Sequence, residues 1–492
     1  MRESGILMPI SSLPSKYGIG CFSKEAYDFI DFLRDAGQKN WQILPLGPTG
    51  YGDSPYQSFS TYAGNPYFID LQALTGEGLL TKEECDQADF GTDETSVDYE
   101  KMYFARFDVL RKAFMRFDKS KTDYDEFIAK ESFWLDDYSL YMAIKNENNG
   151  TSWNEWSEEL RDRNPETLAE ARCALEKEID FYRFQQYFFY KQWNDVHRYA
   201  NENGVKIIGD IPIYVAFDSA DTWANPQLFQ FTEKLEPVAV AGCPPDGFSA
   251  TGQLWGNPLY RWEYHKETHY DWWKQRISHC LSMYDVVRVD HFLGFDEYYA
   301  IPYGDETAQY GHWEKGPGLE LFLTLKEQLG HMNIIAEDLG FLTESVLQLV
   351  RDTGYPGMKV LQFAFDSREE SDYLPHNYGK NCVVYTGTHD NDTVIGWYER
   401  MNDHDREFSK RYLNNYRTPE AEIAWDFIRL AQESVADLCV IPIQDYLGLG
   451  HEARINTPST LGENWKWRLK KDQIFEGLGE RIRSITRLYG RV

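Results

Sequence analysis

A (β/α)8 barrel carrying insertions is the fold that this 492-residue sequence predicts. Eight short apolar runs recur along the chain, helical patterns separate most of them, and they often end in a polar residue beside Gly or Pro. Mostly β-branched runs of this length suit strands buried on both faces, as in a parallel sheet. Strand–helix alternation repeated eight times is the barrel pattern. A Rossmann-type sheet, the alternative, needs fewer strands and usually a Gly-rich turn after the first. Neither G-x-G-x-x-G nor a Walker motif is present.

The first run is Gly5-Ile6-Leu7-Met8 and the second Trp41-Gln42-Ile43-Leu44-Pro45-Leu46. The third is Val205-Lys206-Ile207-Ile208-Gly209-Asp210, the fourth Val286-Val287-Arg288-Val289-Asp290 and the fifth Ile334-Ile335-Ala336-Glu337. Then come Met358-Lys359-Val360-Leu361-Gln362-Phe363, Cys382-Val383-Val384-Tyr385-Thr386 and Leu438-Cys439-Val440-Ile441-Pro442-Ile443. Between the first two, residues 26–36 place Phe29, Ile30, Phe32 and Leu33 at helical spacing, with Gly37 as a C-cap. Residues 321–329, 343–350 and 424–435 behave similarly.

The spacing is uneven, and this predicts a single barrel over 1–492 interrupted twice. Residues 65–204, between the second and third strands, are rich in Asp, Glu, Lys, Phe and Tyr and include a long amphipathic run, 168–201. They read as a mostly helical inserted subdomain that either braces the barrel or binds substrate, two roles the sequence leaves open. Residues 217–270, between the third and fourth strands, are rich in Gly, Pro and Asn around Trp255. They read as a loop-rich insertion at the barrel mouth.

Composition narrows the function. The net charge of −29 opposes a nucleic acid or anionic membrane as main partner, since both select basic surfaces, but leaves a neutral substrate open. No run approaches the roughly 18 apolar residues of a membrane span. The start, too short in its apolar stretch for a signal-peptide core, leads to the expectation of a cytoplasmic enzyme. Seven scattered cysteines without a C-x-x-C pair read as reduced core thiols. Aromatic residues make up 16%, and many Tyr and Trp lie in loop-like stretches where rings can stack on sugars.

In such a barrel the site lies where strands end and βα loops begin. Asp210 ends the third run and Asp290 the fourth. Glu337-Asp338 ends the fifth, and Thr388-His389-Asp390 follows the seventh. One such carboxylate is ordinarily a helix cap or a solvated loop residue. Four together repel one another and imply a use. A metal site would recruit more His than His291 and His389. The pair His265 and His269 lacks the H-E-x-x-H pattern and reads as surface, so no metal and no cofactor is expected. Retaining glycoside cleavage instead needs one ionised carboxylate and one protonated carboxyl about 5–5.5 Å apart. Arg288, two residues before Asp290, shares its strand face and can hold it ionised. Glu337, on an apolar strand near a second negative charge, suits the acid.

These stretches closely resemble the 4-α-glucanotransferases, or amylomaltases, of the α-amylase clan. The resemblance covers essentially the whole chain. It rests on Ser11-Ser12-Leu13-Pro14, Tyr17-Gly18-Ile19-Gly20, Tyr51-Gly52-Asp53-Ser54-Pro55-Tyr56, Gly209-Asp210-Ile211-Pro212-Ile213-Tyr214 and Pro244-Pro245-Asp246-Gly247-Phe248-Ser249. Arg288-Val289-Asp290-His291-Phe292, Ala336-Glu337-Asp338-Leu339-Gly340 and Gly387-Thr388-His389-Asp390-Asn391 also match, as do Asn456-Thr457-Pro458 and Asn464-Trp465. The resemblance implies Asp290 as nucleophile, Glu337 as general acid/base and Asp390 as transition-state stabiliser. It also implies Tyr56, Asp210, Arg288 and His389 around the cleaved sugar, Gln253 and Trp255 on a loop arching over the glucan, and Asn464 as a further substrate contact. It implies no C-terminal β-domain, consistent with the short, mostly helical tail expected after the eighth strand.

The expected activity is transfer of α-1,4-glucan segments from a malto-oligosaccharide donor to the 4-hydroxyl of a glucose or glucan acceptor, through a covalent glycosyl-enzyme. An α-amylase-type hydrolase shares nucleophile and acid, so the carboxylates do not separate the two. The loop around Trp255, able to exclude water and stack an acceptor, favours transfer. A non-catalytic glucan-binding barrel predicts loss of one of Asp290, Glu337 and Asp390, and all three are present.

Overall fold

The computed structural model describes residues 2–50, 52–245, 249–340 and 342–492. Tyr51 and Asp246-Gly247-Phe248, parts of two motifs quoted above, lie outside the described residues. Eight parallel strands build the main sheet: β1 (Glu3–Leu7), β2 (Asn40–Gln42), β3 (Lys206–Pro212) and β4 (Val286–Asp290), then β5 (Ile334–Ala336), β6 (Gly357–Val360), β7 (Cys382–Tyr385) and β8 (Leu438–Pro442). Each of the eight apolar runs overlaps one of them. Their order in the sheet is β6-β7-β8-β1-β2-β3-β4-β5, sequential around a nearly closed barrel. The β5–β6 seam lacks a ladder among the described residues. There the Ala336 N–H donates to the Pro356 carbonyl at 2.9 Å, and an Asp338 carboxylate oxygen accepts the Met358 N–H at 2.6 Å.

Register places the future site. Ile6 pairs with Trp41 on one side and Ile441 on the other, and Asp210 pairs with Arg288. Gly209 is required on the outer side of β3: a Cβ there would lie 2.3 Å from the Tyr284 ring. Asp210 does not end its strand as expected, because β3 continues to Pro212. Its carboxylate is fully buried, paired inside the barrel with a cation on the neighbouring strand.

The helix after β1 is Lys24–Asp35, burying Ala26, Phe29, Ile30 and Leu33, with Phe32 partly buried. Gly37 sits beyond it at φ +72°, the left-handed C-cap conformation. The other expected helices are Leu319–Leu329, Glu344–Thr353 and Ile423–Glu433.

Residues 65–204 hold the helices Tyr99–Arg116, Thr122–Glu147, Pro165–Ala174 and Glu176–Glu202, with shorter ones between. The amphipathic run 168–201 is thus two helices, broken at Leu175. The second helix has two jobs. Its first half joins an aromatic cluster in which Phe184 lies 5.5 Å from Phe114 and 5.2 Å from Phe117. Its second half reaches the barrel, where the Trp193 indole donates to the Met283 carbonyl and Trp193 lies 5.3 Å from Phe22. Two glutamines on this helix use their side-chain amides to bond backbone. Gln186 accepts from the Gly64 N–H and donates to its carbonyl (2.7 and 2.9 Å); Gln192 does the same at Asp70 (2.6 and 3.3 Å).

Several expectations need correction. Residues 217–270 contribute two strands, Ala239–Cys243 and Gln253–Pro258, to a four-stranded antiparallel sheet completed by Glu297–Pro302 and His312–Lys315. The first two pair with each other, and Ala239–Cys243 also pairs with Glu297–Pro302 from beyond β4, a long-range partner that local pattern does not reveal. After β8 the tail is not mostly helical: helices Ile443–Leu447 and Leu478–Leu488 flank a long irregular stretch. It is anchored where Ser12 and the Trp467 carbonyl bond at 2.7 Å and Arg468 donates to the Ser15 carbonyl at 2.6 Å. His265 is fully buried against Tyr260, Trp262 and Trp272, its Nε2 3.1 Å from the Leu228 carbonyl; only His269 of that pair is exposed. Five cysteines are buried, but Cys173 is exposed and Cys243 half-buried. Among the described residues no helix is long and apolar enough to cross a membrane.

Candidate active site

Three strands and one loop deliver the central groups. Arg288 and Asp290 are two residues apart on β4 and therefore share a face. The nearly buried Arg288 guanidinium bridges two carboxylates: Nη1 donates to both oxygens of Asp210 at 2.7 and 2.6 Å, and Nη2 to Asp290 Oδ1 at 2.9 Å. Asp210 is completed by the Tyr56 hydroxyl, which donates to its Oδ2 at 2.8 Å. Buried charges are tolerable only when paired and hydrogen-bonded in this way. The side chain of Asp290 remains 28% exposed, leaving one carboxylate accessible from the mouth.

Glu337 follows β5 and is buried. Its Oε2 accepts the His291 N–H at 2.7 Å and its Oε1 the Leu339 N–H at 2.8 Å. Burial, and then the nearby Asp290, push its pKa up to about 8, against the pull of Arg288 and of those two N–H groups. Desolvation and like charge therefore win over hydrogen bonding. His291 presents its N–H from a left-handed backbone (φ +55°), a conformation that costs a non-glycine residue on the order of 1 kcal/mol. Asp338, expected beside Glu337 at the mouth, is turned into the wall, where it closes the β5–β6 seam. Gly357 allows this approach, since a Cβ there would lie 2.2 Å from Asp338 Oδ2.

Asp390 lies in the loop between β7 and the helix Val394–Arg400. Its Oδ1 accepts from Asn456 Nδ2 at 2.6 Å and lies 3.3 Å from His389 Nε2, and its carbonyl accepts from Arg454 at 2.7 Å. His389 is buried and stacks on Tyr56 (5.1 Å, 18°), with Trp465 5.8 Å from Tyr56 and 6.0 Å from His389. Trp255 stands edge-on to His291 at 4.7 Å, and its indole donates to the Gln253 side-chain oxygen at 3.1 Å.

Asp290, Glu337, Asp210, Arg288, Tyr56, His389 and Asp390 thus converge, with Trp255 and Gln253 beside them. Asn464 is different: it accepts the Thr457 N–H at 2.9 Å and donates to the Thr460 carbonyl, which ties its amide to its own loop next to Trp465. Sequence reasoning assigned no part to His291, Arg454, Asn456 or Trp465. Asn456, Trp465 and His291 stood in quoted motifs, and Arg454 had no signal. Chemically, the site offers a buried carboxyl that holds its proton at neutral pH next to an accessible carboxylate paired with a cation.

A family model described as 4-alpha-glucanotransferase matches residues 8–473. The chain is 50% identical to a 4-alpha-glucanotransferase of Clostridium butyricum over 487 residues, covering 98% of this chain and 100% of that one. It is 48% identical to a 4-alpha-glucanotransferase of Streptococcus pneumoniae over 495 residues, covering 100% and 98%. Among solved structures, an amylomaltase from Streptococcus agalactiae in complex with acarbose superposes over 100% of both chains with a TM-score of 0.97 at 42% identity.

Proposed function

Since the chain belongs to the 4-alpha-glucanotransferase family, whose members act on α-1,4-glucans, we propose that its barrel mouth moves glucan segments between malto-oligosaccharides by a double displacement on Asp290. Asp290 attacks C1 of an α-1,4-linked glucosyl unit from the side opposite the leaving oxygen, and Glu337 gives that oxygen its proton. The C1–O bond breaks, a covalent glycosyl-enzyme forms, and the shortened chain departs with a free 4-hydroxyl. The 4-hydroxyl of an acceptor glucan then enters, Glu337 takes its proton, and the acceptor oxygen displaces Asp290. One glycosidic bond is broken and one made, so the number of reducing ends is unchanged.

The observation that carries this reading is the asymmetry around Arg288. The guanidinium binds Asp290, whereas Glu337, with no ion pair among the described residues, keeps its proton to about pH 8. Nucleophile and acid need that division. Asp390 accepts from the hydroxyls of the distorted sugar, and the Asp210, Tyr56 and His389 group walls its pocket. Trp255 covers the site and gives an acceptor ring a stacking surface, which sets transfer above hydrolysis. Gln253 orients Trp255, and Asn464 holds the loop that presents Trp465. No metal or cofactor takes part. A cytoplasmic setting belongs to the same proposal, in keeping with seven cysteines that form no disulfide among the described residues.

Incubation with maltotriose tests it: glucose and longer oligomers appear while reducing ends stay constant. A steady rise in reducing ends refutes transfer. Asp290→Asn and Glu337→Gln should fold and lose nearly all turnover, whereas Glu337→Gln given a maltosyl fluoride, whose leaving group needs no acid, should accumulate an enzyme heavier by one glycosyl unit. A fully active Asp290→Asn refutes the nucleophile.

A further inference from the structure

The loop that carries His389 and Asp390 leaves β7 at Thr386 and enters the next helix at Val394. Both ends of this excursion are held by one side chain from elsewhere. Asp445, in the short helix Ile443–Leu447 directly after β8, accepts the Thr386 hydroxyl on Oδ2 at 2.6 Å and the Val394 N–H on Oδ1 at 2.8 Å. The Val394 N–H is one of the first-turn donors that a helix cannot satisfy internally. Asp445 is 1% exposed and forms no ion pair among the described residues. A buried carboxylate without a cation is a costly way to satisfy two donors unless their spacing matters. Its own place is rigid, because β8 is laddered between β1 and β7.

We propose that Asp445 is a positioning residue for glucan transfer: by fixing the chord between Thr386 and Val394 it sets where the loop between them presents His389 and Asp390. This rests on the roles given to Asp390 and His389 above. The segment after β8 completes the bracket from the outside, through Arg454 on the Asp390 carbonyl, Asn456 on its carboxylate and the Asn456 N–H on the His389 carbonyl. Those contacts steer Asp390 only if the ends of its loop stay put. An error of about 1 Å in a reacting geometry is worth roughly 100-fold in rate. Groups acting mainly on the transition state show this in kcat rather than in KM.

The test compares Asp445→Ala, Asp445→Asn, Thr386→Val and the Asp445→Ala/Thr386→Val double variant in maltotriose disproportionation. Thr486→Val serves as a control that loses a buried hydrogen bond to Gln38 at the opposite end of the barrel. Asp445→Ala should lower kcat by roughly 30- to 100-fold with KM within about twofold. Thr386→Val should lower it by several fold, and the double variant should be no worse than Asp445→Ala, as expected of two groups acting through one contact. Asp445→Asn, which can still accept from Val394 and donate to the Thr386 oxygen, should recover most of the loss. Thr486→Val should lose thermal stability but keep kcat.

Wild-type kcat in a folded Asp445→Ala overturns the proposal, as does an equal kcat loss in Thr486→Val. If Asp445→Ala does not fold, Thr386→Val decides, and wild-type kcat there overturns the proposal. The underlying reading fails separately, by full activity of Asp390→Asn.

Discussion

Replacing Glu337 by Gln should abolish turnover and shift the stability difference from wild type increasingly in the variant's favour as pH rises. In the unfolded chain this carboxyl titrates near the ordinary value of 4.5; in the folded chain burial and Asp290 raise it to about 8. Below pH 4.5 both states hold the proton, and the group costs the fold nothing. From pH 4.5 to 8 the unfolded state gains ionisation free energy that the folded state forgoes, so wild-type stability drains by about 1.4 kcal/mol per pH unit. The deficit reaches about 3 kcal/mol at pH 7 and levels off above pH 8. Gln escapes it but cannot accept with its nitrogen, so either the His291 or the Leu339 N–H loses its partner, at a pH-independent cost of about 1–3 kcal/mol. The slope is therefore the diagnostic quantity. Urea unfolding of both proteins at pH 5, 6, 7 and 8 measures it. A difference between them that stays flat across that range, or falls, would show that Glu337 is not held protonated and would remove the basis of the acid assignment.

Three further outcomes are expected. The kcat/KM for maltotriose should fall about tenfold per unit above roughly pH 8, as the free enzyme loses the Glu337 proton; initial rates from pH 6 to 10 check this. Arg288→Met leaves Asp210 buried with only the Tyr56 hydroxyl and strips Asp290 of its cation, so stability should drop by about 3–5 kcal/mol and kcat by at least 100-fold, read from urea unfolding and initial rates. Trp255→Ala should raise the proportion of events that end in hydrolysis, seen as new reducing ends per glucose released from maltotriose, because water gains the space of the ring.

The eight barrel strands were legible because each is largely buried on both faces and so reads as a mostly apolar run. The small antiparallel sheet was not, since its central pair joins 239–243 to 297–302 across β4 and none of its strands advertises itself locally. Asp290, Glu337 and Asp390 were legible from their places at or after strand ends, Asp210 from its place at the end of the third apolar run although its strand continues to Pro212, and Arg288 from its two-residue offset. Asp338 was misplaced at the mouth because neighbours along an extended chain point opposite ways, which turns it into the seam while Glu337 faces the site. Asn456 and Arg454 reach Asp390 across more than sixty positions of chain, a closeness that only the irregular crossing after β8 creates. His265 looked superficial because its neighbours Lys266 and Glu267 are polar; it is the inward-facing member of that turn.

Gln186 and Gln192 stand six positions apart on one helix and grip Gly64 and Asp70, also six apart, each by both its peptide groups. Such paired grips act as a key cut for a single insertion depth. Were the rod to slip by one turn, about 5.4 Å, both amides would face the wrong partners. The chain beyond it, through Val205 into the strand bearing Asp210, inherits an alignment already locked.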